Sequence, residues 1–384
     1  MQYYFDNAAT TKMCDEALEA YVDCAKTYTG NPSAIHSMGA DARKRLEKER
    51  GAISNLLQIK PAQLFFTSGG TESNAIILSS LLWSPSPGEI IFSAIEHASC
   101  GNYARILKEQ GWKIVKIRAP QGHISKEDLR AAITERTRMV CIQTVNNVVG
   151  SVQDIQGLVE VTREKEKEYG RKIHFHTDAV QALCKTYLDL NAFDVDSASF
   201  SAHKIHGPRG CGMLYLKKGT IQPLSKGGGQ EMGVRPGTEN LPAIVAMGKA
   251  LALYYPKVEG EIDCSRKLFT PIWEINDYLR EHLTCPILSP WKSYTPFILE
   301  IAVDPFPSEV FSRMLDDKGF CVSSGSACSN NAKQKGESIL VAMGIKPQKA
   351  KSSIRLSFSS DTTMEETILL CQTINELYNN NIRK

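Results

Sequence analysis

Lys204 stands in the stretch SAHKIHGPRG, between His203 and His206 and close to Ser201. A lysine forms Schiff bases when desolvation lowers its pKa, because the neutral amine is the nucleophile. Ser201 and His203 on the same segment offer hydrogen bonds to a phosphate. A second cluster, TSGGTESN, places Gly69, Gly70 and Thr71 at the entry of a helix. Glycines let the backbone approach closely, and the helix N-terminal amides with a threonine hydroxyl suit an anion. By itself such a turn is common. The third cluster, HTDAVQ, puts Asp178 and Gln181 where an apolar run ends. A carboxylate there pairs well with a protonated ring nitrogen, which the ion pair keeps charged. A helix N-cap role for Asp178 remains open beside that reading. The fourth, EHASC, sets His97 just past another apolar run, as a proton carrier or a structural histidine.

A phosphate site, a carboxylate for a pyridinium and a Schiff-base lysine, in that chain order, are the parts needed to hold pyridoxal phosphate. The combination is far more specific than any member. Together with FDNAATT, GNPSAIH, VNN, GGGQE, RPGTEN, SSGSACS and SSIRLSFS, these motifs run through almost the whole length. In them the chain resembles the cysteine desulfurases of the NifS/IscS type, class V aminotransferase-like enzymes of pyridoxal-phosphate fold type I.

The resemblance implies an activity and a role for each matching residue. L-cysteine would become L-alanine, its sulfur passing to an enzyme cysteine as a persulfide. That sulfur would serve iron–sulfur cluster assembly or transfer-RNA thiolation through an acceptor protein. Lys204 would carry the internal aldimine, Asp178 would pair with the pyridine nitrogen, and Gln181 would bond the phenolic oxygen. His97 would stack on the ring and assist proton transfers. Gly70, Thr71, Ser201 and His203 would hold the phosphate, and Thr238 would reach the phosphate of the second subunit of a homodimer. Asn147 would lie near cofactor and substrate. Arg355 would bind the substrate carboxylate, a task suited to a bidentate guanidinium.

Cys328 would be the nucleophile, in a polar stretch, SSGSACSNNAKQKGES, that reads as an exposed loop. A free thiol has a pKa of about 8.5, so its deprotonation needs help. For the other cysteines the reading is a small buried hydrophobe. Four positions depart from the family pattern: Val148 replaces a usual glutamate and Met232 a usual arginine. Phe297 and Glu300 stand where histidine or asparagine, and then asparagine, are commoner. A selenocysteine lyase, another pyridoxal-phosphate enzyme of the same fold and a weakly active scaffold are the competing readings.

The bulk properties narrow the field further. The 384 residues carry 45 Lys+Arg against 42 Asp+Glu, a net charge of +3 with no long basic run, so direct nucleic-acid binding is disfavoured. No apolar run reaches the length of a membrane span, and MQYYFDNAATTK lacks the regions of a signal peptide. The 11 cysteines include no C-x-x-C pair, which argues against a disulfide framework and a zinc ribbon. A cytoplasmic protein without a metal site is expected.

Helical periods alternating with short apolar runs are the elements that must position these residues, and they indicate an α/β fold with a mostly parallel sheet. QLFFTSGGTESNAIILSSLL reads as strand, glycine turn and helix. EIIFSAIEHAS, WKIVKIRA, MVCIQTVNN and KIHFHTDAVQ read as strands stopping at polar residues, and ligands sit beyond the carboxyl ends of such strands. DARKRLEKERGAISNLL reads as an amphipathic helix and LVEVTREKEKEYGRK as a helix with a solvated outer face. PFILEIAV, FCVSSGSACS and SSIRLSFS suggest a smaller α+β unit. The expected division is a large cofactor-binding unit, 15–255, and a small unit of 1–14 with 256–384 that carries the Cys328 loop.

Overall fold

After a short opening strand, β1 (Tyr3–Tyr4), seven strands build one sheet: β2 (Leu64–Thr67), β3 (Glu89–Ser93), β4 (Lys113–Ile117), β5 (Thr137–Cys141), β6 (His174–Asp178), β7 (Ser197–Ser201) and β8 (Gly212–Leu216). The structure is a computed structural model that describes residues 2–218, 221–256, 265–324 and 338–382. The strand order is β2-β8-β7-β6-β5-β3-β4. Neighbours from β7 across to β4 pair in parallel, and only β8 runs antiparallel to both its neighbours. All the strands but β8 therefore end at one edge of the sheet. Ser68–Gly70, the Ala94–His97 turn, Gln143–Asn147, Asp178–Gln181 and the Ser201–Lys204 turn all leave from that edge.

Alternate side chains enter two apolar clusters, as a period of two requires. Leu64, Phe66, Ile91, Val140, Phe175 and Tyr215 belong to one; Phe65, Ile90, Phe92, Cys141 and Leu214 belong to the other. Helices cover both faces, which explains why β2, β3, β7 and β8 are buried along their whole length. The helix Ile155–Tyr169 corrects one expectation. Asp154 caps its start by accepting from Gly157 N, and Gly170 ends it in the left-handed conformation. Between them Leu158, Val159, Val161, Thr162 and even Glu166 are buried, so its charged composition conceals a packed face. Glu166 accepts from Arg163, Lys172 and the backbone of Ile173, which satisfies its carboxylate.

A second core surrounds β9 (Ile298–Ala302), β10 (Phe320–Cys321), β11 (Ser323–Ser324) and β12 (Ser353–Ser357). β12 lies between β11 and β9, antiparallel to both, with Arg355 opposite Glu300. The start of the chain belongs here: β1 pairs in parallel with β10, Asp6 bridges to Ser357, and Phe5 and Ala8 enter this core. From there the chain crosses to the edge of the large sheet, where Thr11 N donates to His203 O at 2.8 Å. No helix among the described residues is long and apolar enough to cross a membrane.

Candidate active site

The turn after β7 carries Lys204, and the opening segment of the chain lies over it. Lys204 Nζ donates to the carbonyls of Ala8 and Ala9, each at 2.6 Å. Gln181 Nε2 donates to the same Ala8 oxygen at 2.8 Å. Thr11 and His203 are joined through backbone and hydroxyl bonds, and His203 Nδ1 meets Thr10 Oγ1 at 3.1 Å. Burial, helped by the charges of Lys204, Arg209 and Lys185, pushes His203 down to about 4, so its ring is neutral.

Asp178 ends β6 and is buried. Its Oδ1 accepts from Val180 N at 3.0 Å and its Oδ2 from Asn74 Nδ2 at 2.8 Å. The turn that follows is not helical, so the capping alternative reduces to this one backbone bond. A carboxylate has about four acceptor positions, so two bonds leave capacity for a further donor. No ion pair holds it among the described residues.

Hydrogen-bond directions around Asn74 follow from chemistry alone. A carboxylate only accepts, so Nδ2 of Asn74 faces Asp178 and Oδ1 faces His176 Nε2, which donates at 2.9 Å. His176 is fully buried and pushed down to about 3 by that burial, with His174 adding to it; as a neutral ring it accepts at Nδ1 from Ser197 Oγ, 2.7 Å away. Ser197 Oγ in turn accepts from His174 Nε2 at 2.7 Å. On the other side Asn74 Nδ2 also donates to Ser99 Oγ at 2.8 Å, leaving the Ser99 hydroxyl to donate to His97 Nδ1 at 2.8 Å. Ser99 N donates to the same Nδ1 at 3.2 Å. His97 therefore carries its proton on Nε2 in the neutral form. Burial lowers its pKa, with Lys204 adding to that and Asp178 opposing it.

The helix Gly70–Ser80 opens at the same edge. Its cap is Gly69, with φ 151° and no side chain to take the first-turn amides. Close packing explains the glycines. A Cβ on Gly70 would lie 2.4 Å from Val180 Cγ2, and one on Gly212 would lie 2.5 Å from Gly69 Cα. Ser201 Oγ sits 3.6 Å from the Cβ position of Gly69, and Thr71 is exposed on the first turn.

Arg355 is buried on β12. Its Nη2 pairs with Asp6 Oδ1 at 2.8 Å and its Nη1 donates to Asn147 O at 2.9 Å. Arg355 Nε, Asn147 Oδ1 and both oxygens of Glu300 are buried without a hydrogen-bond partner. Asn146 shapes the loop by accepting at Oδ1 from Val148 N and Val149 N, so Val148 is a core residue here.

The structure thus joins Lys204, Gln181, Asp178, His97, Ser201, His203, Gly70 and Thr71 at one sheet edge, with Arg355 and Asn147 where the second core meets it. Thr238 is exposed on the loop before the helix Leu241–Tyr254, outside this bonded set among the described residues. Cys328 lies outside the described residues. Sequence reasoning missed Asn74, Ser99, His176, Lys185 and Asp6. Asn74 is inside the TSGGTESN motif, one helical turn past Gly70, and that spacing was the available signal.

These residues fit pyridoxal phosphate: uncapped helix amides for the phosphate, a carboxylate with spare acceptor capacity for the ring nitrogen, and an amine beside both. The comparisons with known proteins agree with that geometry. The family model described as "Aminotransferase class-V" matches residues 3–370. A NifS/IcsS protein homolog of Lactobacillus delbrueckii subsp. bulgaricus is 38% identical over 381 residues, covering 98% of this chain and 97% of that protein. A cysteine desulfurase IscS of Dictyoglomus turgidum is 33% identical over 374 residues, 95% of this chain and 91% of that one. The solved structure of a NifS-like protein superposes with a TM-score of 0.88 at 31% identity, covering 99% of this chain and 100% of its own.

Proposed function

The chain belongs to the aminotransferase class-V family and is a cysteine desulfurase of the NifS/IscS type, and from that premise we propose how its own residues carry the work. L-cysteine and an enzyme thiol become L-alanine and an enzyme persulfide. When bound, pyridoxal phosphate supplies the electron sink that weakens the bond to sulfur. Lys204 would hold the cofactor covalently, and Asp178 would supply the carboxylate for its ring nitrogen. The first-turn amides at Gly70 and Thr71, with Ser201 and His203, would hold its phosphate. His97 would serve the bound ring, with Nε2 as the nitrogen that moves protons. Taking a second proton at Nδ1 requires the Ser99 hydroxyl to turn away.

Arg355 receives the substrate carboxylate beside Asn147, in competition with Asp6. Cys328 takes the sulfur and hands it to an acceptor protein for iron–sulfur assembly or transfer-RNA thiolation. Thr238, exposed in one chain, completes the phosphate site of a second copy in a homodimer. Nine described cysteines are free thiols, which supports a reducing cytoplasm as the compartment.

One observation carries this reading: Lys204 meets Gln181 at the Ala8 carbonyl, and Gln181 is three residues along the chain from an Asp178 that hydrogen bonds tie to His97. The test is incubation with L-cysteine, measuring alanine and protein persulfide together on a sample whose mass is followed by sedimentation. Alanine should appear from the dimer, and Cys328→Ser should bind cysteine with a spectral change yet accumulate no persulfide. A fully active monomer, or a serine variant that turns over at the parent rate, would contradict the assignments of Thr238 or Cys328.

A further inference from the structure

Lys185 is a buried titratable group that the steps above leave without a task. It is 4% exposed, and its Nζ donates to Gln181 Oε1 at 2.9 Å. It lines a narrow pocket with Lys204, Tyr254 and Phe297. No carboxylate pairs with it among the described residues. Burial, with the charge of Lys204, pushes it down to about 7. A buried amine without a counter-ion is costly, so its presence needs a reason.

Gln181 supplies the reason. The two ends of a carboxamide look alike in shape but not in bonding: the oxygen accepts and the nitrogen donates. Lys185 donates to Oε1, and Ala8 O, which also receives Lys204, accepts from Nε2. Reversing the amide would set N–H against an amine donor and C=O against a carbonyl. The orientation is therefore fixed by Ala8 O on one side and, while Lys185 is an ammonium, by Lys185 on the other.

We propose that Lys185 is a positioning residue acting through Gln181: it holds Oε1 so that the amide presents N–H, never C=O, to the phenolic oxygen of the cofactor on Lys204. The inference rests on the pyridoxal-phosphate reading given above. A fixed donor at that oxygen favours its anionic form, and that charge sets the proton affinity of the lysine–cofactor linkage. The titration of the visible cofactor band therefore reports the amide orientation, which packing alone would not move.

The experiment titrates that band in the holoprotein, in Lys185→Met, in Gln181→Ala and in the double variant. Lys185→Met and Gln181→Ala should each shift the midpoint by about one pH unit, and the double variant should shift no further. Far-ultraviolet circular dichroism checks the fold, and Lys185→Leu repeats the test with a different shape if the methionine variant fails to fold. An unshifted midpoint overturns the inference. Additive shifts in the double variant also overturn it, because Lys185 would then act as a charge of its own. A parent protein with no visible band overturns the cofactor reading itself and this inference with it, so the two failures are distinct.

Discussion

Glu300 carries a carboxyl group with no hydrogen-bond partner on either oxygen, in a strand with no exposed residue. Burial pushes it up to about 8 from 4.5, although Ser353 and the Arg355 guanidinium opposite pull the other way. A carboxyl whose pKa is raised in the fold stays protonated while the unfolded chain ionises. The fold therefore loses stability as pH rises from about 4.5 through about 8. Glu300→Gln removes that loss, so its denaturation midpoint should exceed the parent's by more at pH 8.5 than at pH 5. Equal differences at the two pH values would show that Glu300 is ionised in the fold. At this scale Lys204, Asp178 and Gln181 were legible because each sits in a short motif with its own chemistry. Asn74 and Lys185 were not. Their roles depend on partners brought together by the fold: Asn74 and Asp178 are 104 positions apart. Even Lys185 sits at helical spacing from Gln181, in a turn with i→i−4 backbone bonds at Leu183 and Thr186, but only the fold shows that its amine is buried on that amide.

Elements were legible where composition and burial agree. The runs ending at Ser93 and Cys141 fold as strands between covered sheet faces, and the run ending at Asp178 folds as a strand although Phe175 is its one apolar residue. β7 reads poorly, since three of its five residues are serines, yet it is wholly buried. Its Ser197 hydroxyl serves the buried His176 and the half-buried His174, so the polarity that hides the strand is what satisfies its neighbours. The helix Gly70–Ser80 shows how closely an element must pack to present its amides. Gly70→Ala places a methyl 2.4 Å from Val180 Cγ2, pushing the helix from the turn that carries Asp178 and Gln181. Overpacking of this kind costs about 1–3 kcal/mol, and the cofactor should be lost on dialysis. Gly101→Ala, whose Cβ meets nothing within 4 Å, should retain it. Cofactor content after dialysis, compared between the two variants, reads the difference, and equal retention would remove Gly70 from the phosphate site.

For the molecule as a whole, the α/β architecture with a mostly parallel sheet was legible from alternation alone, and the class-V fold agrees with it. The path of the first residues was not, because a two-residue strand has no periodicity to read. Phe5 and Ala8 pack in the second core, while Thr11 bonds to the Lys204 turn. That path supports our proposal of a large unit, 15–255, and a small one of 1–14 with 256–384. It also ties the two cores together at the site, where Arg355 of one faces Lys204 of the other across Asp6–Thr11. The central claim is that this meeting point seats the cofactor on Lys204. Two buried or partly buried lysines compete for that role, and Lys185 is held low enough to be a nucleophile near neutral pH. Borohydride reduction of the yellow holoprotein, followed by peptide mapping, decides between them. The account predicts a pyridoxyl group on the peptide containing Lys204 and none on that containing Lys185; a label on Lys185, or on neither, would contradict it.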